Sequence, residues 1–136
     1  MLARAVLEVV SALQRSSCRF WVAGGWGVDA LVGEQTREHR DLDLAIDARC
    51  ESSVLAALES LGYAIETDWR PARVELAAAG ARWVDLHPVR FDAQGGGRQA
   101  DLDGGHYEYP VGCFTTGRIG RRTVPCLSAE QQVRFR

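Results

Sequence analysis

The chain has 136 residues, of which 46% are hydrophobic and 25% charged, and its formal net charge is −2, a composition typical of one globular domain. This charge balance argues against a nucleic-acid partner, which requires a basic surface, and no apolar run approaches the ~20 residues of a membrane-spanning helix. All sixteen basic residues are arginine, which excludes Schiff-base and P-loop lysines. We expect one cytoplasmic domain over residues 1–136, with its four scattered cysteines reduced.

Hydrophobic spacing predicts an α+β fold. The first half of the chain alternates helices with strands, and the second half consists mainly of strands joined by short connections. Such connections favour antiparallel pairing, so we expect a mixed β-sheet with helices packed on one face. The predicted helices are 3–15, 26–31, 52–61 and one that begins with a capping box at 128–131. The predicted strands are 20–23, 40–46, 63–69, 73–77 and 82–89, with a hairpin at 117–127 and a loop at 92–106.

A pair of acidic residues gives the first functional indication. Asp41 and Asp43 lie on one face of the alternating strand, so their carboxylates converge within ~7 Å. Like charges at that distance repel each other unless a cation lies between them, and carboxylate oxygens suit Mg²⁺. A solvated strand face is the ordinary explanation of an isolated Asp-x-Asp, but two neighbouring features favour the metal.

These features are a glycine pair and a third acid. Gly24 and Gly25 stand between a strand and a helix, where backbone N–H groups and the positive end of the helix dipole can hold a phosphate. Asp85 lies on another alternating strand, which can pair next to the first. Three carboxylates, a phosphate cradle and no lysine together indicate metal-assisted phosphoryl or nucleotidyl transfer.

This set of residues resembles a known superfamily. Gly24-Gly25, then Asp41-x-Asp43, then a later strand aspartate resemble the DNA polymerase β-like nucleotidyltransferases. The string FWVAGGWGVDALVGEQTREHRDLDLAID resembles the small antibiotic nucleotidyltransferases, and among them it is most similar to the short-type lincosamide nucleotidyltransferases. The resemblance implies the polymerase β-like nucleotidyltransferase fold and Mg²⁺-dependent transfer of a nucleoside monophosphate, usually AMP from ATP, to a hydroxyl of a lincosamide, which confers resistance. It continues through 62–76, 84–88, 104–107 and 124–128.

The same resemblance implies roles for the acids. Asp41 and Asp43 would be Mg²⁺ ligands, and Asp85 would be either a third ligand or the base that takes the hydroxyl proton. His87, two residues further along the same strand face, is the alternative base, because a histidine pKa near 6.5 suits neutral pH. Metal coordination acidifies the attacking hydroxyl and relieves the base of much of its task, which favours Asp85, and the choice stays open.

Further residues are expected around the nucleotide. Gly24, Gly25 and Trp26 would hold the triphosphate. Arg37 and His39, just before the acidic strand, would contact phosphate or support the residues that do. Asp29, on the helix that follows the glycine pair, is also expected among the nucleotide-binding residues.

For several other charged and aromatic residues the sequence predicts less specific roles. Asp29 either pairs with Arg37 or Arg40 or lies on the surface, and Arg73 and Glu75 form a cross-strand ion pair or shape the site. Members of the family usually continue beyond the position of the last residue here, so we expect a C-terminal helical extension to be lacking, and a homodimer is possible. Trp69, Tyr107 and Tyr109 are candidates for the wall of a drug pocket.

Two other functions compete with this one. The aminoglycoside 2″-nucleotidyltransferases resemble the same Gly-Gly-Trp, Thr-Arg-x-His and Asp-x-Asp segments, and their polycationic substrates require an acidic pocket. A non-catalytic nucleotide-binding or antitoxin-like module on this fold is the second alternative, although such modules tend to lose acids that this chain retains.

Overall fold

The computed structural model describes residues 1–135, and Arg136, the end of the predicted domain, lies outside them. Residues 1–135 form four α-helices and nine strands, with short 3₁₀ turns at Ala48–Cys50 and Val111–Cys113; the helices and seven of the strands follow the predicted order. The helices are α1 (Ala3–Arg15), α2 (Gly24–Val32), α3 (Glu51–Ser60) and α4 (Ala129–Arg134). The strands are β1 (Phe20–Ala23), β2 (Leu42–Asp47), β3 (Ala64–Trp69), β4 (Arg73–Ala78), β5 (Arg82–Phe91), β6 (Gly97–Ala100), β7 (His106–Tyr109), β8 (Phe114–Ile119) and β9 (Arg122–Leu127).

The strands form the predicted mixed sheet. Seven of them lie side by side in the order β3-β4-β5-β2-β1-β9-β8, and β6 pairs with β5 and with β7. The pairs β2–β5 and β1–β9 are parallel, and the other pairs are antiparallel. The parallel β2–β5 pair brings the two acid-bearing strands into contact.

The core lies mainly on one face of this sheet, as predicted. Helices α1 and α3 contribute Val6, Leu13 and Leu58 to a buried cluster that also contains Leu44 and Leu86 of the central strands. The other face carries a smaller apolar cluster composed of strand and turn residues, with Tyr109 and Leu127 among them. Because side chains alternate along a strand, the residues between the core leucines of β2 and β5 lie on this second face.

Three details differ from the prediction. Strand β6 lies within the predicted loop 92–106 and the unpredicted strand β7 begins at its last residue, because the pairing of β6 with β5 and β7 supplies order that the polar sequence does not indicate. Helix α2 begins at Gly24 instead of Trp26, so the glycines belong to its first turn. The hairpin begins at Phe114, three residues early. None of the helices within residues 1–135 is long and apolar enough to span a membrane.

Candidate active site

Two of the three predicted acids, Asp43 and Asp85, lie side by side with Glu75 on neighbouring strands of the sheet, and these three residues form what we call the acid rung. Asp43 of β2 is in register with Asp85 of β5, and Asp85 is in register with Glu75 of β4. Asp85 is only 4% exposed; its Oδ2 accepts a hydrogen bond from Arg73 Nη1 at 2.5 Å, and its Oδ1 has no hydrogen-bond partner within residues 1–135. Asp43, Asp85 and His87 each place one possible metal-ligand atom within 4.8 Å of the others.

The electrostatics of these carboxylates favour a cation. Burial raises the pKa of Asp85; His87 and Arg73 oppose this effect, and the charge of Asp43 adds to it. Burial also raises the pKa of Asp41, together with repulsion from Asp43. A divalent cation would offset the repulsion among these three groups.

A magnesium ion fits the donor set at this rung. Asp43 and Asp85 offer hard carboxylate oxygens, and the buried, unpartnered Oδ1 of Asp85 is an acceptor in need of a positive group. Among the described residues, Asp41 is not part of this close cluster; its Oδ2 lies 3.3 Å from Nη1 of its neighbour Arg40. That contact is accessible to solvent and therefore weak.

The glycine pair lies directly beside Asp43. Gly24 has a left-handed φ of +61°, and a Cβ at this position would overlap Oδ2 of Asp43 and lie 3.0 Å from its Cγ. A Cβ on Gly25 would overlap the ring of His39, only 2.6 Å from Cε1. Both positions therefore require glycine, and the first turn of α2 approaches the acid more closely than any other residue would allow.

The buried side chain of Asp29 holds His39, the residue that packs against the glycine turn. Asp29 accepts hydrogen bonds from the backbone N–H of Thr36 at 3.1 Å, from its hydroxyl at 2.6 Å and from His39 Nε2 at 2.6 Å. Burial raises the pKa of Asp29, but these hydrogen bonds outweigh it and the net effect is a lowered pKa. The expected pairing of Asp29 with Arg37 or Arg40 is therefore wrong.

The expected nucleotide contacts divide into two groups. Gly24, Gly25 and Arg37 line the cavity above Asp43. Trp26 and His39 are buried with their rings 5.2 Å apart and lie behind the turn, so the structure gives them a supporting position instead of direct contact with the cavity.

The cavity itself has a volume of about 470 Å³. Its inner wall includes Arg73 and His87, and its outer wall is largely apolar or aromatic, with Leu102, Tyr107 and Phe135. Tyr107 and Tyr109 line the cavity, whereas Trp69 is not among the described residues that do; its ring lies 4.3 Å from the guanidinium of Arg73.

Sequence reasoning missed two residues here. Gln99, on the unpredicted strand β6, is 6% exposed and contacts His87, Tyr109 and the carbonyl of Ala72. Gln132 of α4 also lines the cavity, and its Nε2 is buried without a hydrogen-bond partner within residues 1–135. A buried glutamine gives no periodic signal, so only the three-dimensional pairing identifies these two side chains.

Carboxylates in register on parallel strands, beside a glycine turn that opens a helix, define a nucleotidyltransferase of the polymerase β-like fold. The chain belongs to the aminoglycoside-2″-adenylyltransferase family, whose sequence model matches residues 5–136.

Individual relatives agree with this assignment. A lincosamide resistance protein of Staphylococcus haemolyticus is 37% identical over 127 residues, which cover 93% of this chain and 79% of that protein. A 2″-aminoglycoside nucleotidyltransferase of Klebsiella pneumoniae is 33% identical over 84 residues, 60% of this chain and 45% of that protein. The lincomycin-bound crystal structure of the lincosamide antibiotic adenylyltransferase LnuA superimposes with a TM-score of 0.89 at 35% identity, covering 99% of this chain and 85% of that one. The resemblance inferred from the sequence is thus confirmed.

Proposed function

We propose that this protein transfers AMP from ATP to a hydroxyl of a lincosamide antibiotic and so confers resistance. The observation that carries the proposal is the register of Asp43 with Asp85 beside the glycine turn. The acceptor hydroxyl attacks the α-phosphorus, the bond to the β-phosphate oxygen breaks, pyrophosphate leaves, and the hydroxyl proton passes to a carboxylate.

The residues divide this task between them. Asp43 and Asp85 would hold Mg²⁺, with Asp41 as the further ligand that the family resemblance implies, and the ion would neutralise charge on the triphosphate. The backbone N–H groups of Gly24 and Gly25 bind phosphate oxygens and orient the α-phosphorus.

Nearby groups complete the arrangement. Arg37 lines the cavity and offers planar donors to the triphosphate. Asp85 is either the third of these Mg²⁺ ligands or the base that accepts the proton of the acceptor hydroxyl, because its Oδ1 has no hydrogen-bond partner within residues 1–135.

The outer wall of the cavity favours a lincosamide over an aminoglycoside. A polycationic aminoglycoside requires several carboxylates, whereas a lincosamide offers a sugar and an apolar tail to an amphipathic wall. Among the described wall residues, Asp101 is the one acid besides Asp43. Its Oδ1 already accepts hydrogen bonds from the backbone N–H groups of Asp103 and Gly105, each at 2.8 Å.

The proposal also covers location and partners. We propose that the enzyme acts in the cytoplasm, because its co-substrate ATP is available there. The charge balance supports small-molecule partners and argues against nucleic acid. The single domain over residues 1–136 and the homodimer both stay predictions.

A turnover experiment tests the proposal. The protein is incubated with ATP, Mg²⁺ and either lincomycin or tobramycin, and pyrophosphate release and adduct mass are measured. We expect lincomycin-dependent pyrophosphate and an adenylyl-lincomycin adduct. Asp43→Asn should reduce kcat/KM by more than about 100-fold, since it removes at least ~3 kcal/mol of transition-state stabilisation.

The control is Asp92→Asn, which removes one charge from an exposed turn but keeps the acceptor oxygen there. An adduct with tobramycin alone would support the aminoglycoside alternative. ATP binding without product from either drug would support the non-catalytic module.

A further inference from the structure

Gln99 makes three polar contacts, which link Tyr109 of the cavity wall to His87, next to the acid rung. Its Nε2 lies 3.1 Å from the carbonyl oxygen of Ala72 and 3.0 Å from Nδ1 of His87. Its Oε1 lies 2.7 Å from the hydroxyl of Tyr109. Gln99 and Tyr109 are both buried, so each of these groups depends on the others for a hydrogen-bond partner.

The orientation of the amide follows from the Ala72 carbonyl. A carbonyl oxygen can only accept, so the amide group facing Ala72 must be the NH₂ end of Gln99. The second hydrogen of the same NH₂ group then points to Nδ1 of His87, which must accept it. At the other end the Tyr109 hydroxyl donates to Oε1, and burial raises the pKa of Tyr109, which keeps that hydroxyl protonated.

We propose that Gln99 is a positioning residue whose hydrogen bond to Nδ1 of His87 holds that side chain in the tautomer with its hydrogen on Nε2. A neutral imidazole has one donor and one acceptor nitrogen, and Gln99 occupies the acceptor. Nε2, 3.4 Å from Asp43 Oδ1 and 3.6 Å from Asp85 Oδ2, is therefore an N–H donor aimed at the acids.

This inference rests on the proposed function and narrows it. A nitrogen that carries a hydrogen can neither take the proton of the acceptor hydroxyl nor coordinate a metal. His87 is then a hydrogen-bond donor to oxygen atoms at the acid rung, and Asp85 is left as the base. Only carboxylates, and not His87, would then bind the metal.

Nitrogen NMR tests the tautomer independently of turnover. The protein is labelled with ¹⁵N at its three histidines, and two-bond ¹H–¹⁵N correlations are recorded at pH 8, above the ordinary histidine pKa of about 6.5. Loss of a signal set in His87→Gln assigns His87. In the unaltered protein we expect hydrogen on Nε2 and a bare Nδ1.

Gln99→Glu replaces the donor with an acceptor of the same shape, so hydrogen should move to Nδ1 of His87. Gln94→Glu, in an exposed turn, adds the same charge without contact and should leave the His87 signals unchanged. Gln99→Met, which removes the donor without adding charge, should give a mixture of tautomers and serves if the glutamate variant does not fold. It should also lower kcat roughly tenfold, with KM for ATP nearly unchanged.

Two results would overturn the inference: hydrogen on Nδ1 of His87 in the unaltered protein, or an unchanged pattern in both Gln99 variants. Failure of the proposed function gives a different result, namely no drug-dependent pyrophosphate from the unaltered protein while the NMR pattern is as expected.

Discussion

Gly24→Ala is the sharpest perturbation of the nucleotide turn. Two separate effects apply at this position. The φ of +61° lies in the left-handed region, where a side chain costs about 1–2 kcal/mol. The added methyl group would also overlap the Asp43 carboxylate, with Cγ only 3.0 Å away.

The second effect determines activity. Ordinary contact begins at 3.4 Å, and the surrounding backbone cannot retreat because Gly24 opens helix α2. Oδ2 of Asp43 lies nearer to the added methyl group than Cγ does, so the carboxylate must move by about 1 Å, and a misplacement of that size costs roughly 100-fold in rate. We expect kcat/KM to fall by about 100-fold and the free energy of unfolding to fall by about 1–2 kcal/mol.

Gly33→Ala separates the two effects. Gly33 ends α2 with a φ of +92°, and a Cβ there would meet nothing within 4 Å. This variant should lose similar stability in urea unfolding but keep its lincomycin-dependent pyrophosphate release within a few-fold of the parent. Comparable activity of the two variants would refute the claim that Gly24 is required by its approach to Asp43.

Two further predictions concern stability and the acceptor. Burial raises the pKa of Asp47, but hydrogen bonds from Arg49 and Arg19 outweigh it and lower the pKa to about 2. Because the pKa of Asp47 in the folded protein lies below 3.8, its stabilisation is complete above about pH 4 and is lost as the pH falls through 2. In urea unfolding, Asp47→Asn should therefore be less stable than the parent by about 1–2 kcal/mol at pH 6 and by almost nothing at pH 1.5. A difference that does not change with pH would contradict this role of Asp47. Tyr107→Ala should raise KM for lincomycin several-fold without changing KM for ATP. The control is Ile65→Ala, at an equally exposed position, which should change neither KM. A change in KM for ATP in Tyr107→Ala would mean that Tyr107 contacts the nucleotide instead of the drug.

The parts of the site that follow strand alternation could be predicted from the sequence. Leu42, Leu44 and Ile46 are buried and Asp43 lies on the opposite face, as the period of two requires. The pairing of Asp85 beside Asp43 was predicted only as a possibility, since alternation fixes a face and not a partner strand.

Other parts depend on tertiary pairing. The polar segment Gly97–Ala100 becomes β6 because β5 and β7 lie on either side of it, and only then does Gln99 reach His87. A β-bulge between Ile65 and Thr67 interrupts the register of β3, so alternation could not predict the direction of Trp69 at the end of that strand.

The hydrophobic core also enforces the unfavourable arrangement of the acids. Asp43, Asp85 and Glu75 repel one another on adjacent strands, and a shift of one residue in the β2–β5 register would separate them. The same shift would turn Leu44 or Leu86 toward the cavity and bring a carboxylate into the core. Burying an unpaired charge costs far more than repulsion between charges at the edge of a cavity. The leucines on one face therefore hold the carboxylates together on the other.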